Sequence, residues 1–409
     1  MGTRWKNIGP GLVTGSSDDD PSGIATYSAA GAQFGLHLLW TAIFTYPLMV
    51  VIQEMCARIG IVTRRGLTAT IKQHYPRPVL WLIVGLSFPA IVLNIGADIA
   101  GMGAVGNLVF PSVPSSVFSA AFTVILMYSI IAWPYRKIAS VLKWLCLSLL
   151  SYLVIPFLVD TDWWQVAKST VLPTIVFDRS YFMILVGILG TTISPYLFFW
   201  QTSMEVEEGA TKNIVVDKTV ISSMTTDVRA GMFYTMIVFF FIVLTSGTVL
   251  HSAGITSIVT VEDAAKSLRP LAGNMAYALF AIGVIGTGLI AIPVLAGALS
   301  YMMSEVFDWQ EGLDQKFQMA PGFYITMIIS LCIGLAIDLT DVSPITALIY
   351  TAILYGVTAP VLIGLVLHIC NRADIMGEYT NKTVSNVVGI ATLCIMSAAA
   401  ILMFVYWGD

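Results

Sequence analysis

Apolar residues dominate this chain in long runs, and polar positions gather in the intervals between them. Runs long enough to cross about 30 Å of hydrocarbon fall at 8–34, 38–62, 78–109, 116–133, 137–159, 181–204, 229–250, 271–304, 321–338, 343–369 and 384–407. This pattern predicts an all-α polytopic membrane protein with eleven transmembrane helices in a single domain over 1–409. The longest polar interval, 203–229, reads as a loop with room for one short amphipathic helix.

Composition agrees with the pattern. Hydrophobic residues make up 57% of the chain and charged residues 11%, where a soluble domain carries about 25% charged residues. No block of like charge suggests a nucleic-acid partner or a lipid-binding tail, so the bilayer itself is the expected surrounding partner. Cys56, Cys146, Cys332, Cys370 and Cys394 all lie in apolar runs, their number is odd and no C-x-x-C pair occurs. Neither a disulfide framework nor a thiolate metal site is indicated, and no cofactor is expected. The N-terminus lacks the charged, apolar and small-residue order of a cleavable signal, so the first helix is expected to stay in the mature protein.

Loop charges orient the chain. When loops are assigned alternately to the two sides, one side collects fifteen Lys and Arg, including Arg64, Arg65, Lys72, Arg136, Lys137 and Arg372. The other holds only Lys168, Arg179, Lys266 and Arg269. The positive-inside rule then predicts a cytoplasmic N-terminus and an external C-terminal Tyr406-Trp407-Gly408-Asp409 in a cell membrane.

Two runs are interrupted. The first contains Asp18-Asp19-Asp20-Pro21-Ser22-Gly23 and the sixth contains Gly190-Thr191-Thr192-Ile193-Ser194-Pro195-Tyr196. Proline removes a backbone donor and clashes one turn back, so carbonyls are left unpaired. Such backbone survives at membrane depth only when it is buried or lines a wet cavity. With helices 1–5 (residues 1–160) and 6–10 (181–370) read as inverted halves and 384–407 as an added helix, the breaks occupy matching positions. Paired interruptions of this kind point to a midplane binding site.

The donors offered there are hard oxygens. Asp20 supplies a carboxylate, Thr191 and Thr192 supply carbonyls, and Ser194 adds a hydroxyl, a set suited to magnesium, calcium or manganese. Successive helical residues point about 100° apart, so the three aspartates cannot all face one ion. Asp20 is taken as the ligand, with Asp18 or Asp19 lining the vestibule. Asn94 and Asp98, one turn apart in the third helix, share a face suited either to structural hydrogen bonding or to supporting the site. Glu205, Glu207 and Glu208 read as a solvated face, and no histidine shows ligand spacing.

Several segments resemble the NRAMP divalent-metal transporters: Gly9-Pro10-Gly11, Asp20-Pro21-Ser22-Gly23, 30–40 (AGAQFGLHLLW) and 53–63 (QEMCARIGIVT). The likeness is strong over helices 1–3, moderate at helix 6, and thins to hydropathy after helix 8. It implies a LeuT-like fold that moves manganese or iron with protons. The departures are informative. The family's asparagine ligand is Gly23 here, its sixth-helix methionine is Ser194, its two histidines on that helix are Tyr196 and Gln201, and its third-helix Asp and Glu are Asp98 and Gly101. This pattern resembles the NRAMP-related magnesium transporter branch. It implies a metal site of Asp20, Gly23, Thr191, Thr192 and Ser194, with Asp18, Asp19, Asp98 and Tyr196 around it.

Loss of the thioether removes discrimination against hard ions. Magnesium sheds water reluctantly, and Gly23 and Ser194 are expected to leave space for a water shell. The resulting expectation is import of partly hydrated Mg2+, with Mn2+ as a further substrate, by alternating access without tight proton coupling. Three readings compete with it: a proton-coupled Mn2+ or Fe2+ transporter using other groups, an intramembrane aspartyl enzyme built on Asp20 and Asp98, and a metal sensor that does not transport. The enzyme would need two carboxylates sharing one proton, and the Y-D and G-x-G-D motifs of such proteases are absent.

Overall fold

The computed structural model describes residues 9–133, 147–211, 215–338 and 342–406. The first span is divided into α1 (Pro10–Asp18) and α2 (Pro21–Phe34). It is followed by α3 (Trp40–Thr63), the short α4 (Leu67–His74), α5 (Arg77–Val109) and α6 (Ser115–Ala132). The span expected at 137–159 falls partly on 134–146, outside the described residues, and its described remainder forms short helical turns such as Ser151–Val154. The sixth span is again divided, into α7 (Arg179–Thr192) and α8 (Pro195–Thr211). Then come α9 (Lys218–Ser246), α10 (Ala276–Phe307), α11 (Pro321–Asp338), α12 (Pro344–Asn371) and α13 (Thr383–Val405). Among the described residues there is no strand, and nine helices are long and apolar enough to cross a membrane when α7 and α8 count as one.

Proline more often starts a helix here than breaks one, and Pro47, Pro89, Pro293 and Pro360 lie inside continuous helices. Pro10, Pro21, Pro195, Pro321 and Pro344 open α1, α2, α8, α11 and α12, where the missing N–H would have had no partner in any case. Each interruption is therefore one helix stopping and the next starting. Asp20 stands before Pro21 in extended conformation (φ −73°, ψ 172°) and caps α2, the arrangement an Asp-Pro step favours.

Small residues set how closely the spans approach. A Cβ on Gly15 would lie 2.3 Å from the Gly231 carbonyl oxygen, so α1 and α9 touch backbone to backbone. A Cβ on Gly190 would lie 2.0 Å from the Ala352 oxygen, which brings α7 equally close to α12. Within lipid, association rests on such close packing because no water is released from the helix faces. At the start of α1 the Gly11 amide donates to Asp227 Oδ2 at 2.6 Å. A Cβ on Gly9 would also collide with the Asp227 carboxylate. The Gly-Pro-Gly step thus seats the first half-helix on a carboxylate of the seventh span. Overall, the first span packs on the seventh and the sixth on the second.

Burial separates centre from rim. The apolar window of the divided sixth span is 94% buried, against 22% for α6 and 33% for α11 and α13. The rim exposes Val124 and Tyr128 on α6 and Val387, Ile401 and Phe404 on α13, a belt of apolar side chains that suits lipid and not water. Both breaks therefore lie in the protected interior.

Candidate metal site at the two helix breaks

The break in the first span carries three buried carboxylates. Asp18, Asp19 and Asp20 are each at most 1% exposed. Asp20 Oδ1 accepts from Ser22 Oγ at 2.6 Å and from the Gly23 amide at 2.8 Å. Its Oδ2 accepts from Asn94 Nδ2 at 2.9 Å. Both oxygens of Asp18 and of Asp19 have no hydrogen-bond partner, and the same is true of Asp98 on the third span. Asp18 and Asp98 lie within electrostatic reach of Asp20.

The break in the sixth span closes on itself. Ser194 Oγ donates to the carbonyls of Thr191 (2.8 Å) and Gly190 (3.1 Å), tying off the end of α7. Thr192 Oγ1 donates back to Ile188 O at 2.8 Å. These hydroxyls keep lone pairs free, so they remain oxygen donors to a cation while their protons hold the helix end. Tyr196 crosses between the breaks, its hydroxyl donating to Ser17 O at 3.0 Å. Its ring centroid lies 5.7 Å from that of Tyr355 on α12.

The structure brings Asp18, Asp20, Asp98, Ser194 and Tyr196 into one interior region. It changes two expectations, at Gly23 and Glu205, and decides between the alternatives in a third, at Asn94. Gly23 does not leave an open space, because a Cβ there would meet Thr191 Oγ1 at 3.2 Å and the Tyr27 ring at 3.3 Å. For Asn94 the structure favours the supporting role over the purely structural one, since Asn94 bonds the proposed ligand directly. Glu205 is not on a solvated face. It is 6% exposed, accepts from Gln201 Nε2 at 2.8 Å, and lines a cavity of about 250 Å³ with Arg64, Gly60 and Gly209. Gln201 in turn accepts from Thr14 Oγ1 at 2.5 Å, joining α8 to α1.

Sequence reasoning missed Tyr355, Tyr27 and Asp227. The hydroxyls of Tyr355 and Tyr27 are fully buried without partners, and Tyr355 faces Asp20 and Asp98. Their only sequence signal is a polar tip within an apolar run, which buried tyrosines share generally.

These groups enclose an acidic interior region. A buried carboxylate without donors is costly, and among the described residues no lysine or arginine forms an ion pair with Asp18, Asp19, Asp20 or Asp98. Protons or a metal cation are what remain to neutralise them. Among the described residues no three His, Cys, Asp or Glu side chains converge as a ready metal cluster. A metal here would be held by carboxylate together with carbonyl, hydroxyl and amide oxygens. Asp20 and Asp98 are not hydrogen-bonded to each other, since both Asp98 oxygens lack a partner.

Two broken spans facing each other in a protected interior, lined by hard oxygen donors, define a LeuT-fold membrane transporter. Residues 11–406 match the family described as natural resistance-associated macrophage protein-like, and the chain belongs to that family. The divalent metal cation transporter MntH of Acidiphilium cryptum is 26% identical over 418 residues, covering 99% of this chain and 92% of the relative. Among solved structures, the Eremococcus coleocola manganese transporter superposes with a TM-score of 0.75 at 18% identity, covering 99% of this chain and 87% of that one. MhsT in complex with L-phenylalanine gives 0.61 at 12% identity, with 98% of each chain covered. These structural likenesses concern the fold.

Proposed function

We propose that the chain moves a divalent metal cation across the membrane by alternating access around the two breaks. Family membership and the relatives named as divalent metal or manganese transporters support the reading. The observation that carries it is the set of buried, unpartnered carboxylate oxygens of Asp18, Asp19 and Asp98 beside the Asp20 cap. The metal is substrate, and no catalysis is involved. Rocking of the first and sixth spans, each hinged at its break, would expose the chamber alternately to the two sides. The two repeats are assigned to 1–160 and 181–370, and the N-terminus to the cytoplasm on loop charge.

The finer reading is Mg2+, with Mn2+ as a second substrate, moved without tight proton coupling. Ser194 stands where the family has a thioether, and Tyr196 and Gln201 stand where it has histidines, so neither 18–23 nor 190–196 itself carries a soft donor. The ligands are Asp20, the carbonyls of Thr191 and Thr192, and Ser194. With Gly23 closed off by Thr191 and Tyr27, space for retained water depends on the breaks separating as the ion enters. Uptake of Mg2+ and Mn2+ into liposomes holding the purified chain tests both levels. Saturable Mg2+ uptake that Mn2+ inhibits is expected. Uptake of Mn2+ with no Mg2+ uptake or inhibition would replace the magnesium reading by the manganese one, and binding without uptake would support a sensor.

A further inference from the structure

The family amide lost at position 23 has a counterpart on another helix, at Asn94. We infer that Asn94 is an amide switch for the cation: its nitrogen holds Asp20 when the chamber is empty, and its oxygen becomes a ligand when the metal binds. This rests on the proposal that Asp20 binds the transported ion.

The two oxygens of Asp20 are in different situations. Oδ1 is committed to its own helix, receiving Ser22 Oγ and the Gly23 amide, which cap α2. Oδ2 faces across to α5, where its partner is Asn94 Nδ2 at 2.9 Å. A cation that keeps the cap intact must therefore approach Oδ2, from the side where Asn94 and Asp98 stand. An amide N–H directed at that position repels a cation. Rotation about the last side-chain torsion exchanges nitrogen for oxygen in nearly the same volume.

The surroundings permit that rotation. Asn94 is fully buried, and its Oδ1 has no hydrogen-bond partner, so turning the amide breaks only the bond to Asp20. One turn further along the same helix, both oxygens of Asp98 are fully buried and unpartnered, within electrostatic reach of Asp20. A metal between Asp20 Oδ2 and α5 would meet carboxylate oxygen on one side and the Asn94 carbonyl on the other. Both are hard donors that Mg2+ and Mn2+ accept. An asparagine side chain at position 23 would have to push Thr191 aside by a few tenths of an ångström, whereas Asn94 on α5 already presents an amide to Asp20.

Two substitutions separate this role from a structural one, because they push affinity in opposite directions. Asn94→Ala removes the ligand oxygen, and the KM for Mg2+ uptake into liposomes should rise about tenfold, with Mn2+ affected similarly. Asn94→Asp supplies an oxygen but no donor, so the empty state loses its clasp and the loaded state gains charge. KM should fall and kcat should fall with it, as release becomes slow. A purely structural Asn94 would lower the yield of folded protein in both variants and leave the KM of the folded fraction unchanged, which overturns the inference. If Asn94→Asp does not fold, Asn94→Ala decides alone: a raised KM supports the switch and an unchanged KM refutes it. Asp20→Asn is run beside them. Wild-type uptake by that variant removes the underlying site assignment, while loss of uptake there with normal KM in the Asn94 variants removes the switch alone.

Discussion

Replacing Asp20 by Asn separates metal binding from fold, because the carboxylate does two jobs that the amide shares only in part. The amide oxygen can still accept from the Gly23 N–H and Ser22 Oγ, the bonds of 2.8 and 2.6 Å that start α2. The other oxygen becomes an NH2 facing Asn94 Nδ2 across 2.9 Å. That donor pair is relieved when Asn94 turns its free Oδ1 inward, so the net cost to folding is about 1 kcal/mol, the scale of one exchanged hydrogen bond. The effect on a divalent ion is far larger. Its attraction to one carboxylate about 4 Å away is about 8 kcal/mol at an effective dielectric of about 20. Even if the neighbouring carboxylates and water recover three quarters of this, the remaining ~2 kcal/mol lowers affinity about thirtyfold. The assay is saturable uptake of Mg2+ into liposomes with an internal fluorescent reporter, paired with size exclusion and a thermal melt of the same sample. The Mg2+ concentration for half-maximal uptake should rise at least about thirtyfold while the elution profile is kept. Asp20→Ala should in addition melt earlier, because it loses the cap. A well-folded Asp20→Asn protein that takes up Mg2+ at near the wild-type rate would refute the reasoning.

Three other outcomes follow from the same chamber and its rim. Transport should proceed without a fixed proton stoichiometry, since the potential alone supplies about 4.6 kcal/mol for two charges across 100 mV; metal-driven acidification of the vesicle lumen at a constant ratio would contradict this. Ser194→Met, alone or with Gly23→Asn, should raise the Mn2+ to Mg2+ uptake ratio by offering a soft donor. The single variant is the cleaner test because Asn at 23 must displace Thr191, and an unchanged ratio would locate selectivity elsewhere. In the loop after α10, burial together with the Glu305 and Glu207 carboxylates pushes Glu311 from 4.5 up to about 9. A carboxyl raised in this way favours the docked loop fully below about 4.5 and loses that contribution as pH climbs toward 9. Amide protection over 308–320, taken relative to the intrinsic exchange rate at each pH, should therefore be weaker at pH 9.5 than at pH 6, and Glu311→Gln should flatten that difference; equal protection at both pH values would count against it.

Apart from the fifth span, which falls partly outside the described residues, the spans and both interruptions were legible in the chain because they are local properties. A run of about twenty apolar residues has few options beside a membrane helix. An Asp-Pro or Ser-Pro step within one both stops a helix and starts the next, as Asp20-Pro21 and Ser194-Pro195 do. The hard-oxygen character of the breaks was legible too, since it depends only on which residue types stand beside those prolines. What the tertiary structure decided is which distant groups meet them. Asn94 reaches Asp20 across 74 positions of sequence, and Tyr355 enters from the tenth span. Glu205 lies buried where its run of acidic neighbours suggested solvent, because α8 packs against α3 and Gln201 draws its carboxylate inward. Gly23, read along the chain as space for water, is closed by Thr191 from the other broken span. Hydropathy and proline act within a few residues along the chain, so sequence reports them. Partnership and free volume depend on crossings set by small residues such as Gly15 and Gly231, and those crossings exist only once the helices have packed.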